Sequence, residues 1–151
     1  MNIKNLFIFI AVFLLSFMIL FFLTNPSYEK SLEAKYHYEM GDYTEAYKLA
    51  NEAFALDVYN RMASTVMAQS KTSMKYEKYI KEAKQYLNTI NEIIAQDTID
   101  DAQRSKIKLM SEIMVDSYVK LAPSVITDKQ LVDEAARYHE QFEKILEKVD
   151  H

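Results

Sequence analysis

The stretch Leu6–Leu23, LFIFIAVFLLSFMILFFL, holds eighteen residues without a charge, a Pro or a Gly, and with one hydroxyl at Ser16. At about 1.5 Å rise per residue it makes a helix of roughly 27 Å, close to the ~30 Å hydrocarbon thickness of a bilayer. Nothing after residue 24 repeats this pattern. The reading that follows is a short tail over residues 1–5, a transmembrane signal-anchor helix over 6–24, and a soluble domain over 26–150. A cleaved secretory signal would show a shorter apolar run of about 7–15 residues and small residues at its end. Here the run leaves through Leu23-Thr24-Asn25-Pro26, with no such pair and a stiff Pro just beyond the boundary. The segment therefore reads as a retained, single-pass anchor contacting the lipid bilayer through Leu6 to Leu23.

Orientation rests on few charges. Lys4 precedes the helix, while Lys30 and Lys35 follow it, mixed with Glu29 and Glu33. The bias in Lys and Arg that sets topology is small here. A short N-terminal tail before a long domain is the pattern of a signal-anchor, which places the domain outside the cytoplasm.

Composition bounds the rest. One Gly and two Pro in 151 residues lie far below the usual ~7% and ~5%, so the turn residues that sheets need are missing and the class is all-α. The absence of Cys excludes disulfides, thiolate metal sites and an acylated-Cys anchor. With Lys4 set aside, residues 26–151 carry 17 basic and 22 acidic groups. A net −5 domain without a basic block does not suit nucleic-acid phosphates. The aromatics are sorted: six of eight Phe lie in the anchor and all eleven Tyr lie after it. A phenolic hydroxyl needs water or a partner that lipid does not supply, and Tyr28 sits where an interfacial aromatic belt would fall. Abundant Lys, Ile, Asn and Tyr with three Arg hint at an AT-biased bacterial source.

Asn25-Pro26 reads as a cap and first position of a helix that runs to Met40 and breaks at Gly41-Asp42. A second helix, from Asp42 to about Asp57, carries Tyr43, Ala46, Tyr47, Ala50, Ala53, Phe54 and Leu56 as its apolar positions. Ala46, Ala50 and Ala53 line one face with small side chains, which lets a neighbouring helix come close. Gly41-Asp42-Tyr43-Thr44-Glu45-Ala46 and Ala53-Phe54-Ala55-Leu56-Asp57, with Ala34 before them, resemble a tetratricopeptide repeat across residues 34–57. The chain departs from that pattern at Lys30, Glu33, His37 and Val58, where the family places apolar residues, Tyr and Pro. The resemblance implies a TPR-like α-solenoid of about three helical hairpins, which is the working minimum for stacked repeats. The second hairpin is expected as a helix over 60–74, with Met62, Ala63, Val66, Met67 and Ser70, and one over 76–95, where Glu82-Ala83 echoes Glu45-Ala46. The third is expected as a helix from Thr98 to Leu121, ended by Ala122-Pro123-Ser124, and a last helix opened by a Thr127/Gln130 capping box.

Catalytic chemistry has little to hold. His37, His139 and His151 are far apart, and no H-E-x-x-H or Gly-rich phosphate loop occurs. His139 and Glu143 at i, i+4 supply two ligands where a metal needs three or four. Glu39, Asp42 and Glu45 cluster acids at the first hairpin turn, but Asp42 and Glu45 suit a helix N-terminus better than a calcium loop. The expectation is therefore no enzyme, no catalytic or metal residues and no cofactor. Tyrosines crowd residues 36–86, with Tyr43 and Tyr47 expected in the core. Tyr36, His37, Tyr38 and Tyr59 are the candidates for protein-partner contact, since Tyr is enriched at interface hot spots. Leu131, Ala135, Tyr138, Phe142, Ile145 and Val149 form a heptad seam, read either as the second arm of a hairpin or as a homo- or hetero-oligomer seam.

The functional expectation is a membrane-anchored TPR-like interaction scaffold in a larger complex, such as a flagellar motor or secretion system, at a bacterial inner membrane with its domain in the periplasm. Two alternatives stand beside it. One is a tethered chaperone that holds client polypeptides through Met62, Met67 and Met74; the other is a cytosol-facing organelle-membrane receptor.

Overall fold

The computed structural model describes residues 3–122 and 127–149, without the side chains of Phe22 and Leu23. Pro123 and Ser124, expected to end a helix, and His151 lie outside the described residues. Among the described residues all regular structure is helical: α1 Ile3–Thr24, α2 Pro26–Glu39, α3 Tyr43–Leu56, α4 Arg61–Ile94, α5 Asp101–Val119 and α6 Lys129–Val149. Two compact units divide the chain, Met1–Lys71 and Thr72–His151.

In the first unit, α1 is long and apolar enough to cross a membrane, and none of its apolar window is buried against protein. Its two hydroxyls are satisfied within the helix, Ser16 Oγ donating to Val12 O at 2.8 Å and Thr24 Oγ1 to Leu20 O at 2.8 Å. A hydrocarbon environment requires that internal satisfaction. Asn25 then caps α2, its side chain accepting the Ser27 amide at 3.0 Å, with Pro26 in the first turn. At the other end of α2, Gly41 takes φ +82°. That left-handed step lets the Gly41 and Asp42 amides bond back to Tyr38 O at 3.1 Å and His37 O at 2.9 Å. Asp42 caps α3 by accepting the Glu45 amide at 3.1 Å. The hairpin closes on small side chains: Ala34, Ala46, Ala50 and Ala53 are all fully buried. Leu49 and Val66 complete that core, with Tyr38, Met62 and Met67 against it.

Lys30, standing where the repeat pattern wants an apolar residue, bridges α2 to α3 through Glu52 at 2.6 Å. A buried polar lock holds the base of the hairpin. Ser27 Oγ donates to Ala53 O at 2.8 Å. Asn60 Nδ2 reaches Ser27 O at 3.2 Å, Ser27 Oγ at 2.9 Å and Ser31 Oγ at 3.2 Å, while Asn60 Oδ1 accepts the Ala63 amide at 3.1 Å. Every polar atom of this amide has a partner, so its burial costs little.

The expected second hairpin is absent. Residues 61–94 form one helix of 34 residues, with no break between Met74 and Tyr76. The reason lies in the buried stripe, which passes through Ala63, Val66, Ser70, Ser73, Tyr76, Ile80 and Ala83 at spacings of three and four. No Gly or Pro interrupts it, so nothing in the chain forces a turn. Two hairpins, α2–α3 and α5–α6, replace the three expected.

In the second unit, the later part of α4 contributes Tyr76, Tyr79, Ile80, Ala83, Ile90 and Ile93 to a core with Ile107, Met110 and Met114 of α5, Leu121, and Ala135 and Phe142 of α6. The start of α5 is corrected from Thr98 to Asp101. Asp100 accepts the Gln103 amide at 2.6 Å, and the Gln103 side chain accepts the Asp100 amide at 3.0 Å, a complete capping box. Asp128, one residue past the expected Thr127, accepts the Gln130 amide at 2.8 Å where α6 begins.

Candidate functional site

The N-terminal unit carries an open cleft of about 430 Å³, walled by Lys35, Tyr38 and Glu39 of α2 and by Arg61, Met62, Thr65, Val66 and Gln69 of α4. Two helices build it because Val66 packs into the Ala34, Ala46 and Ala50 core. That contact turns the flank formed by Arg61, Met62, Thr65 and Gln69 toward the exposed flank of α2. The floor is apolar and adaptable, with half-buried Tyr38, Met62 and buried Val66. Tyr38 is held edge-on against Tyr43, their rings 5.3 Å apart at 61°. The rim is polar. Lys35 pairs with Glu39 at 3.7 Å, whereas Arg61 makes no ion pair among the described residues. The cleft thus offers one uncompensated guanidinium beside an aromatic and a thioether, groups suited to a partner with an acidic or carbonyl-rich edge next to an apolar side chain.

The four residues expected to touch a partner do not converge. Tyr38 lines the cleft. Tyr36 is 61% exposed and lies outside the cleft, edge-on to His37 at 5.8 Å. His37 Nδ1 sits 3.6 Å from Asp42 Oδ2 at the end of α2. Tyr59 is 87% exposed in the α3–α4 loop, where Asp57 Oδ1 accepts its amide at 2.9 Å. Of the core tyrosines, Tyr43 is buried and Tyr47 half-buried. Of the three methionines, Met62 lines the cleft, Met67 packs on the core and Met74 is half-buried in the other unit. Arg61, Thr65 and Gln69 escaped the sequence reading. Their sequence signal is a polar i, i+4, i+8 row beside the buried stripe of α4.

The seam of Leu131, Tyr138, Phe142, Ile145 and Val149 faces its own unit. Phe142 is fully buried, and the other four pack against the same core. The structure thus places this row as the second arm of the α5–α6 hairpin.

Also in the second unit, Tyr118 stacks on His139 at 4.1 Å and 9°, and Tyr79 tilts against Tyr118 at 5.8 Å. His139 Nε2 lies 3.4 Å from Glu143 Oε1. Burial pushes the Tyr79 phenol well above its ordinary range, with Tyr118 and Glu143 adding to it. One imidazole and one carboxylate are what this cluster brings together. No group of three or more metal-ligating side chains occurs among the described residues. A second cavity, of about 300 Å³, is lined by Ile94, Ile99, Ile107, Ile145 and Val149 with Arg104 and Lys148.

Ion pairs elsewhere are surface pairs. The hydrogen bond to Lys30 holds the Glu52 carboxyl below its ordinary value, and Glu52 raises Lys30 in turn. Glu134, at 3.0 Å, raises Lys84 in the same way. No protein family, curated protein or solved structure matches this chain.

Proposed function

We propose that this protein is a non-enzymatic, membrane-anchored interaction module, in which α1 spans the bilayer and the α2/α4 cleft binds an extended segment of one protein partner. The observation that carries the reading is the cleft itself, where unpaired Arg61 stands beside Tyr38 and Met62 on a hairpin joined to α1 through Asn25 alone. Tethering raises the local concentration of a weak binder, so a shallow cleft suffices. The tetratricopeptide-like run within residues 34–57 suits a helical-hairpin scaffold, but the residues with which that family holds peptides have no counterpart here, so the resemblance supplies no ligand. One methionine in the cleft, rather than three, favours a fixed partner over a chaperone's many clients. On this reading the protein is a structural or assembly part of a bacterial envelope complex, with its domain in the periplasm.

The test uses the full chain in its native membrane. Carbonate washing should leave it in the pellet, and a reporter fused after His151 should be active on the outer side of that membrane. From mild detergent extracts the intact protein should recover one discrete partner. Arg61→Ala or Gln69→Ala should lower recovery about tenfold, a hot-spot loss of ~1.4 kcal/mol or more, with helicity unchanged. Equal recovery by the Arg61 and Gln69 variants would move the site elsewhere, and release by carbonate would remove the anchor.

A further inference from the structure

The end of α3 and the α3–α4 loop hold three large apolar side chains in solvent: Leu56 is 57% exposed, Val58 59% and Tyr59 87%. Such a group, isolated on a soluble hairpin, gains nothing from its exposure. Its position in the unit is fixed at both ends. Before the loop, Ala53 O accepts from Ser27 Oγ at 2.8 Å and from the Asp57 amide at 3.1 Å. After it, Asn60 donates its amide to Asp57 O at 3.1 Å and its side chain to Ser27 O at 3.2 Å. The loop is therefore strapped to the first turn of α2. Ser27 is three residues beyond Thr24, the last residue of α1, and three residues span at most about 11 Å. The headgroup layers of a bilayer add roughly 10–15 Å to its hydrocarbon core, half on each side.

We propose that Leu56, Val58 and Tyr59 form an interfacial lipid contact that seats the α2–α3 hairpin on the membrane where α1 emerges. The proposal rests on reading α1 as a spanning helix. Continuity with α1 is what selects lipid as the occupant. The side-chain chemistry agrees: two aliphatic chains can enter the acyl boundary while a phenol, apolar in body and polar at its tip, settles at headgroup level. The one acid within the loop, Asp57, turns its carboxylate to the Tyr59 amide. The nearby Lys30 and Glu52 neutralise each other at 2.6 Å. A loop held this way fixes the tilt of the hairpin against the bilayer and so the direction in which the cleft opens.

The chain contains no Trp, so single-Trp variants of the full protein report one position each. Tyr59→Trp, Val58→Trp, Met40→Trp and Phe13→Trp are reconstituted into phosphatidylcholine vesicles with or without brominated acyl chains. Positions 58, 59 and 40 are exposed, Met40 at 68%, so the fold tolerates the exchange, and far-ultraviolet circular dichroism verifies it. Tyr59→Trp and Val58→Trp should emit at shorter wavelength and lose about half their intensity to bromine, as an aromatic ring at headgroup depth does. Met40→Trp, at the opposite end of the hairpin, should keep water-exposed emission, and Phe13→Trp should be quenched most. Water-exposed, unquenched emission from positions 58 and 59 beside a quenched Phe13→Trp overturns the loop contact and leaves the anchor standing. Unquenched Phe13→Trp overturns the anchor and the loop contact together. Equal quenching at Met40 and Tyr59 overturns the loop contact by laying the whole hairpin flat.

Discussion

The two units solve helix packing in opposite ways. In Met1–Lys71 the core is made of Ala34, Ala46, Ala50 and Ala53 with Leu49 and Val66, and the helices are positioned by directional devices: a left-handed Gly41, the Asp42 cap and the Asn60 lock. In Thr72–His151 the core is bulk, with Tyr76, Ile90, Met114 and Phe142 nearly or fully buried, although α5 too is capped at both ends, by Asp100 and Lys120, with Ala122 left-handed at φ 44°. Small side chains let helices approach closely but bury little area, so hydrogen bonds and turn geometry carry the specification. Large side chains stabilise chiefly by area and shape. The difference predicts different points of failure.

The largest effect should come from the bulky core. Phe142→Ala removes a fully buried ring and should cost about 3–5 kcal/mol, read by denaturant unfolding of the full chain in detergent. Hydrogen exchange should then rise in α5 and α6; unchanged exchange there would break the contrast. Next in size is Lys75→Pro. This exposed position lies in the middle of α4, so the substitution loses no packing and its cost is that of the broken helix, about 3 kcal/mol. Unchanged stability in the Lys75→Pro variant would restore the hairpin that the repeat pattern led one to expect. In the small-residue unit, Asn60→Ala strands the Ala63 amide, removes the side-chain donor to Ser27 and Ser31, and should cost about 1–3 kcal/mol. Asn60→Asp keeps the acceptor for Ala63 but not the donors to Ser27 and Ser31, and should lose nearly as much; full rescue by Asp would reduce the lock to a simple cap.

The smallest effect is electrostatic. Lys30 depresses Glu52 in the folded state, so this carboxylate contributes stability above its unfolded value and loses it as pH falls through its lower, folded one. Glu52→Gln should flatten that acid limb. Both groups are exposed, so the difference should be slight and should fade in high salt. An acid limb identical in the variant assigns the slope to other carboxylates.

How much of this the amino acids announce depends on how local each cause is. Asn25-Pro26 and Gly41-Asp42 are legible because caps and left-handed turns act within four residues, and the eighteen-residue apolar run because length alone decides it. The fusion of 60–74 with 76–95 into α4 is hidden when a repeat pattern is imposed, although the unbroken stripe from Ala63 to Ala83 carries the answer. Around Asp97-Thr98-Ile99-Asp100 several polar residues compete to cap, and the Gln103 partner decides for Asp100. That Tyr36 and Tyr38 cannot both face inward is legible from their spacing, and Tyr36 is the exposed one while Tyr38 packs half-buried against the core. Arg61 and Gln69 are not legible, because their placement depends on which face of α4 meets α2, a tertiary fact set by Val66 among the alanines.

Site-specific photo-crosslinking in intact membranes tests the anchored cleft most directly. A photoreactive residue at Thr65 or Gln69, both in the cleft wall, is compared with one at Leu109, 57% exposed on α5. The predicted result is one discrete adduct with a single protein from 65 and 69, and none from 109. An adduct from 109 with silence at 65 and 69 would contradict the cleft as the partner's seat.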